Sequence, residues 1–275
     1  MLKTVFFGLR FPFNEVLVDW LSRRSELVGV VWTDSVGWQR SLATRVRFAR
    51  RRIARYGIAK VLNETLLYFW LHSGPRQRDD ARIQRELVAP YVAAHGPCRW
   101  DGAAIETADV NAGDVINFLR ECAPDIAFAA CIPQYFSSSL RQIPRHGVLL
   151  WHEGITPEYK GLYAPFWALH ELDVRRVGCT VLRMNDYYDG GEPLLEATLA
   201  EVDPTCMDFG YLGHRAILET LPGVELLLTD LERGVLRQAI RDRRIAHTYT
   251  YPGLSDFLRL RVRARRFREQ HRAGG

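Results

Sequence analysis

The sequence predicts an α/β protein with a mostly parallel sheet, a helical insertion and a small C-terminal extension. Three observations predict this class. Short apolar β-type runs alternate with helical patterns at the start of the chain, and they do so again from about residue 112. Between these regions, residues from about 37 to 95 read as helices without a strand. Alternation of this kind is typical of parallel sheets, because parallel neighbours need a long crossover connection.

The opening residues predict a βαβ unit. Residues 3–7 (KTVFF) are a β-rich run that Gly8 ends, and residues 26–32 (ELVGVVW) are a second apolar strand. Between them NEVLVDWLSRR has helical spacing, with Asn14 as the expected N-cap. Gly8 is the only glycine in the turn FFGLRFPFNE, which excludes a GxGxxG dinucleotide loop and a P-loop.

The insertion joins a basic segment to an apolar one. Arg40–Arg55 reads RSLATRVRFARRRIAR, and the apolar stretch Val61–Leu71 follows it. Such a pair has two interpretations: helices packed against their own domain, or a weak peripheral contact with an anionic membrane through residues 40–72. Packing is the interpretation we favour.

The α/β alternation resumes after the insertion. The expected elements are a helix at 112–122, a strand at 125–131, a short helix at 137–142, strands at 146–152, 177–184 and 193–202, and a helix around 206–221. The strand at 193–202 alternates well enough to be an outer antiparallel strand. We therefore expect an α/β domain over 1–205 and a helical, basic extension over 206–275.

Composition narrows the function classes. No apolar run approaches the roughly 18 residues of a membrane span, and the N-terminus lacks the cleavage site of a signal peptide. The five cysteines form no CxxC pair, so we expect a cytoplasmic protein without a disulfide framework or a metal. A net charge of +5 without a recognised nucleic-acid module predicts no specific nucleic-acid binding.

Polar residues collect where predicted strands end. His152 ends one strand, residues 132–136 follow another, and the loop 185–191 (NDYYDGG) follows a third. In open parallel sheets, ligands bind beyond the carboxyl ends of the strands. A lone histidine at a strand end is usually structural, but three polar loops together indicate a ligand site. We expect Glu153, next to His152, to face solvent.

Three segments around these loops carry a family resemblance. They are PDIAFAACIPQYFSSSLRQIPRHGVLLWHEGITPEYKG (Pro124–Gly161), GLYAPFWALHELDVRRVGCTVLRM (Gly161–Met184) and NDYYDGGEPL (Asn185–Leu194). They resemble the folate-dependent formyltransferases, the group that acts on methionyl-tRNA, glycinamide ribonucleotide and amino sugars. The family is indicated by a combination of patterns: HxGxxPxY[KR]G, followed later by GxT and DxG. This combination is more specific for the family than either half alone. With the opening TVFFGLRFPFNEVLVDWL, the resemblance covers about 1–35 and 98–205.

The resemblance implies a Rossmann-like formyltransferase N-terminal domain that passes a formyl group from the co-substrate 10-formyltetrahydrofolate to an amine. The family's site is Asn-x-His at a strand end with an aspartate on a later loop, and His152 and Asp189 match the last two as catalytic residues. Leu150 stands at the asparagine position and cannot donate a hydrogen bond to an oxyanion. Asn185 and Gln134 are the candidate replacement donors.

The resemblance also points to a folate-binding slot. Its matching residues are Ile132, Pro133, Phe136, Asn185, Tyr187 and Tyr188. Because of Leu150, three activities stay open: formyl transfer, transfer of another one-carbon or acyl group, and ligand binding without catalysis.

Two features that are missing from the sequence narrow the range of possible acceptor molecules. The turn GLRFPF is not the Gly/Ser-rich phosphate loop of the glycinamide-ribonucleotide enzymes, and the residues after 205 are too few for the β-barrel of the methionyl-tRNA enzymes. We expect a small-molecule amine: an amino sugar, a sugar nucleotide or a specialised metabolite. The arginine-rich stretch Arg259–Arg272 would suit a phosphorylated acceptor through charge-assisted hydrogen bonds.

Overall fold

A seven-stranded sheet forms the centre of the computed structural model, which describes residues 1–33, 42–235, 240 and 244–272. Its strands are β1 (Lys3–Leu9), β2 (Glu26–Thr33), β3 (Ala104–Thr107), β4 (Ile126–Ala130), β5 (Val148–His152), β7 (Gly178–Arg183) and β8 (Glu192–Thr198). The strand order is β3-β2-β1-β4-β5-β7-β8. The first five strands are parallel, and β7 and β8 are each antiparallel to the preceding strand in that order. The predicted α/β class with a mostly parallel sheet is confirmed.

The helices cover both faces of this sheet. They are α1 (Pro12–Ser22), α2 (Leu42–Tyr56), α3 (Ile58–His72), α4 (Pro75–Ile83), α5 (Ala89–His95), α6 (Gly113–Cys122), α7 (Ser138–Arg141), α8 (Ala164–His170), α9 (Phe209–Glu232) and α10 (Leu254–Arg272). A π-helical turn joins α4 to α5. Residues 42–95 are therefore helical without a strand, as the sequence predicted.

Two expectations about these elements were wrong, and one strand was not predicted. Asn14 is not the N-cap of α1, because the helix already begins at Pro12 and the Asn14 amide donates to the Leu9 carbonyl instead. The edge strand β3 was not expected. The helix predicted to end near Leu221 continues through Pro222 to Glu232, because Val224, Leu227, Leu228 and Leu231 are buried in the core.

The two faces of the sheet have separate hydrophobic cores. On the α9 face, Phe6, Phe128 and Trp151 pack with side chains of α1 and α9. On the α6 face, Phe7, Ala129 and Val148 pack with Val115 and Leu119. Successive strand residues point to opposite faces, so β5 directs Leu150 to the α6 face and Trp151 to the α9 face. This alternation sends the next two side chains, His152 and Glu153, in different directions.

The C-terminal segment returns to the sheet region. The short strands β6 (Lys160–Gly161) and β9 (Thr248–Tyr249) pair in parallel, and α10 packs against α3 and α8. The ring centroids of Trp70 and Phe257 are 4.3 Å apart at the α3–α10 contact. A domain boundary at residue 205 stays a prediction. Among the described helices, none combines the length and the apolar character that crossing a membrane would require.

Candidate active site

His152 is the last residue of β5, and its side chain is only 7% exposed. Its Nε2 lies 2.8 Å from the carbonyl oxygen of Tyr159. Because a carbonyl can only accept a hydrogen bond, Nε2 must carry a proton in this arrangement. The ring nitrogen that remains available for proton transfer is therefore Nδ1, which lies 3.9 Å from Oδ2 of Asp189.

Asp189 belongs to the loop between β7 and β8 and has a left-handed backbone with φ of 46°. Its Oδ2 accepts a hydrogen bond of 3.0 Å from the backbone N–H of Gly161, and its side chain is 10% exposed. The carboxylate is thus anchored by main chain while it faces His152. The carboxylate therefore presents its negative charge to the imidazole ring.

Glycines create the space for this pair. A Cβ on Gly154 would lie 2.4 Å from the Tyr159 carbonyl oxygen and 2.9 Å from His152 Nε2. At Gly161, where φ is 96°, a Cβ would lie 2.2 Å from the carbonyl oxygen of Tyr249. The glycines of the HxGxxPxYKG motif therefore let the backbone approach the histidine on one side and β9 on the other.

A cavity of about 1080 Å³ opens beside the pair. The predicted residues that border it are His152, Asp189, Leu150, Ile132, Pro133 and Tyr188. The partly buried Leu150 lies two residues before His152 on the same face of β5. The cavity wall at that point is consequently apolar.

The structure does not bring four other predicted residues to this cavity, judged by its lining in the described part of the chain. The Asn185 amide donates to the Gly190 carbonyl and accepts from the Tyr187 N–H. Gln134 accepts from the N–H of Val110. Phe136 is 2% exposed in the α6-face core, and Tyr187 is 76% exposed on its loop. Hydrogen bonds occupy the Asn185 and Gln134 side chains, core packing occupies Phe136, and Tyr187 is exposed to solvent.

Sequence reasoning missed a second polar group on the cavity wall, formed by Cys131, Glu153 and His214. The expectation that Glu153 faces solvent was wrong. Its side chain is 30% exposed, and its Oε1 lies 3.3 Å from His214 Nδ1 and 3.6 Å from Cys131 Sγ. Burial raises the pKa of the Cys131 thiol well above its ordinary value, and the Glu153 charge adds to this shift.

Asp79 of α4 is a further cavity residue that no local pattern signalled. Its two carboxylate oxygens accept hydrogen bonds of 2.8 Å from the N–H groups of Gly210 and Tyr211, at the start of α9. Burial raises the pKa of Asp79 to about 6, although these two hydrogen bonds oppose the shift. A carboxyl group that titrates near neutral pH on a cavity wall is a candidate acid or base.

Sequence comparison with known proteins finds similarity to formyltransferases. The family described as Formyl transferase matches residues 75–208, a range that begins inside the helical insertion. The methionyl-tRNA formyltransferase of Thermus thermophilus is 33% identical over 147 residues, which are 53% of this chain and 44% of that protein. The enzyme of the same name from Geobacter metallireducens is 28% identical over 127 residues, 44% of this chain and 40% of that protein. The chain is homologous to formyltransferases. These enzymes transfer one-carbon groups, and the alignments span less than half the length of each of these two relatives.

Solved structures share the fold of this chain at low sequence identity. A sugar N-formyltransferase from Shewanella sp FDAARGOS_354 superposes with a TM-score of 0.53 at 12% identity, over 96% of this chain and 88% of that one. Glycinamide ribonucleotide transformylase 1 from Symbiobacterium toebii also gives a TM-score of 0.53, at 16% identity over 90% of this chain and 95% of that one. The formyltransferase fold therefore extends beyond the matched range of residues.

Proposed function

We propose that this protein transfers a formyl group from 10-formyltetrahydrofolate to an amine of a small molecule. The observation that carries the proposal is the pair of His152 and Asp189, 3.9 Å apart at the end of a sheet strand and on the wall of a cavity. The cavity is large enough for a ligand of this size, since small-molecule sites commonly measure about 300–1,000 Å³. Ile132, Pro133 and Tyr188 supply an apolar wall suited to a flat pterin ring.

The chemistry assigns different tasks to the two residues. Attack of an amine on the formyl carbon places negative charge on the carbonyl oxygen in the transition state. The tetrahedral intermediate then collapses with cleavage of the bond between the formyl carbon and the folate nitrogen, which takes up a proton and leaves as tetrahydrofolate. When His152 is protonated, its Nδ1–H is the donor that can stabilise this charge, because Nε2–H is committed to Tyr159. The attacking nitrogen must also lose a proton. Asp189 is the anionic group beside the ring that can accept it, directly or through a water.

Leu150 removes a second donor from this arrangement. Loss of one oxyanion donor costs about 3 kcal/mol, or roughly a hundredfold or more in rate. Asn185 and Gln134 do not compensate, because the Asn185 amide donates to the Gly190 carbonyl and the Gln134 amide donates to the Ala108 carbonyl. This observation favours a second candidate function, a divergent transferase that moves another one-carbon or acyl group and needs one donor only.

The proposed acceptors are amino sugars, sugar nucleotides and specialised amines. If the acceptor is phosphorylated, the cations that it meets on the cavity wall are Arg10 and Arg76. The arginines of α10 do not border the cavity in the described part of the chain. Two of them lie near acids instead: Arg263 is 3.9 Å from Glu171, and Arg268 is 3.5 Å from Asp203.

The test is turnover of 10-formyltetrahydrofolate by purified protein against a panel of amino sugars and amino-sugar nucleotides. We expect amine-dependent release of tetrahydrofolate, which His152→Ala abolishes and Asp189→Asn lowers about a hundredfold. Tyr187→Phe, a change on an exposed side chain of the same loop, is the matched control and should retain full activity. Turnover of another acyl donor, with none of the formyl donor, would support the second candidate. Turnover that survives both site variants would contradict the proposal.

A further inference from the structure

Three potential metal ligands converge on the α9-face side of the cavity. Cys131 follows β4, Glu153 follows β5, and His214 lies near the start of α9. One ligand atom from each residue lies within 4.8 Å of the other two, so a single ion could reach all three. The mechanism proposed above does not use this cluster.

The orientation of His214 suits metal binding. Its Nδ1 lies 2.6 Å from the Gly210 carbonyl oxygen and 3.3 Å from Glu153 Oε1, so the ring proton lies on Nδ1 and a lone pair remains on Nε2. Nε2 lies 3.9 Å from Cys131 Sγ. Metal-binding histidines usually donate their other N–H to a carbonyl or carboxylate in this way. The ring is further held by Phe13, with the ring centroids 4.3 Å apart.

The backbone around the cluster makes room for it. A Cβ on Gly213 would lie 2.7 Å from the carboxyl carbon of Glu153. Glycine forms helices less readily than alanine, so a glycine inside a helix calls for a local reason. Here the reason is the Glu153 carboxylate. Cys131 has a left-handed φ of 56°, a conformation that non-glycine residues seldom adopt outside constrained sites.

We propose that Cys131, Glu153 and His214 bind one divalent transition-metal ion, with Zn²⁺ as the best match. Thiolate sulfur, imidazole nitrogen and carboxylate oxygen are the ligands that Zn²⁺ takes in proteins, and sites with three protein ligands keep a position for water or substrate. All three residues border the cavity, so a metal ion held by them would also border it. The expectation of no metal rested on cysteine spacing, which cannot show ligands that come from three distant segments.

The experiment measures metal content directly. Untagged full-length protein is stripped with a chelator, loaded with Zn²⁺ and analysed by elemental mass spectrometry and competition with a chromophoric chelator. We expect one ion per chain. Loss of outer-shell partners commonly weakens metal affinity by about 10–100-fold, so Cys131→Ser, Glu153→Gln and His214→Gln should each weaken it by about 100-fold or more. Co²⁺ loading should give a thiolate charge-transfer band that Cys131→Ser removes.

Two controls keep the result interpretable. Cys98→Ser and His95→Gln change the same residue types outside the cluster and should leave affinity unchanged. Gly213→Ala should lower the metal affinity at least about tenfold, because the added methyl group displaces the Glu153 carboxylate. The melting temperature should not fall, because alanine forms helices more readily than glycine. Wild-type protein that holds far less than one ion per chain would overturn the proposal, as would equal affinity in the cluster variants. Because the readout is metal content, failure of formyl transfer would not produce either result.

Discussion

Oδ2 of Asp189 lies 3.9 Å from Nδ1 of His152 and, at the same time, accepts the backbone N–H of Gly161 at 3.0 Å. The carboxylate position is thus set by the strand pair β6–β9, although neither strand belongs to the main sheet. This link makes the site sensitive to changes in backbone geometry as well as to changes of charge.

We expect Gly161→Ala to destabilise the protein and to lower activity. The added Cβ would meet the main chain of Tyr249, which cannot move without breaking the β6–β9 pairing, and φ of 96° adds strain. Strained positions of this kind cost about 1–3 kcal/mol each. Urea denaturation measures the free energy of unfolding. Gly234→Ala is the control, since its φ is also positive, at 74°, but nothing lies within 4 Å of the added Cβ. An equal loss in both variants would show that the contact with β9 is unimportant.

The variant Asp189→Asn should separate the effect of the carboxylate charge from the effect of the side chain's position. The amide oxygen can still accept the Gly161 N–H, so we expect the free energy of unfolding to change little. The negative charge beside His152 is lost, and we expect kcat to fall about a hundredfold, within the range of general acid–base contributions. Steady-state kinetics and urea denaturation of the same preparation give both numbers. A large loss of stability with unchanged kcat would assign Asp189 a structural role only.

Leu150→Asn should raise the rate of formyl transfer. The side chain at this position borders the cavity on the face of β5 that carries His152, so an amide there would add a donor beside Nδ1. One such donor is worth about a hundredfold in rate. Leu150→Met, which adds no donor, is the matched control. A fall in rate with the formyl donor would indicate that the apolar wall serves another chemistry.

Asp79 should make stability depend on pH. Its carboxyl group binds a proton more tightly in the folded protein, where the pKa is about 6, than in the unfolded chain, where it is about 3.9. The stabilisation from this proton is fully present below about pH 4 and is lost as the pH rises through about 6. The stability of wild type relative to Asp79→Asn should therefore fall between pH 4 and 7 in urea denaturation. Asp80→Asn, at the exposed neighbour, should show no such trend.

The insertion carries a testable membrane prediction. The side chains of Ile58, Leu62, Leu66 and Phe69 on α3 are each more than half exposed and recur at helical spacing, next to the arginine-rich α2. The less favoured interpretation, weak peripheral contact with an anionic membrane through 40–72, implies binding to vesicles that contain anionic lipid, reduced by salt. Leu62→Ser with Leu66→Ser should abolish co-sedimentation, and Leu258→Ser on α10 is the control. Absence of wild-type binding at low salt would favour packing or another partner.

The sequence predicted the elements that have strong local patterns. The buried strands, the strand-free insertion and the placement of His152 at a strand end all follow from apolar spacing. The edge strand β3 was missed because its four residues alternate between exposed and half-buried and give little apolar signal. The continuation of α9 beyond Pro222 depends on burial, which local propensity does not include.

The missed part of the candidate site depends on long-range contacts. Cys131 and His214 are 83 residues apart, and Asp79 meets the start of α9 across 131 residues. The family resemblance placed Phe136 in the folate-binding slot. In the structure its ring packs against Phe7, with the ring centroids 5.1 Å apart. The spacing of a motif predicts the relative positions of residues that share a strand or a loop. It does not show which side chains of other segments meet them in the folded chain.

The pairing of β6 with β9 has a consequence for how this protein can be shortened. A version ending at Glu232, the last residue of α9, would keep every strand of the large sheet, yet it would lose β9 and expose the hydrogen-bonding edge of Lys160–Gly161. The backbone N–H of Gly161, which holds the Asp189 carboxylate, would then lose the support of its pairing with β9 and move more freely. Trimming the C-terminus would therefore loosen the carboxylate and, at the same time, uncover the core side chains that pack with Phe257 and Leu260 of α10.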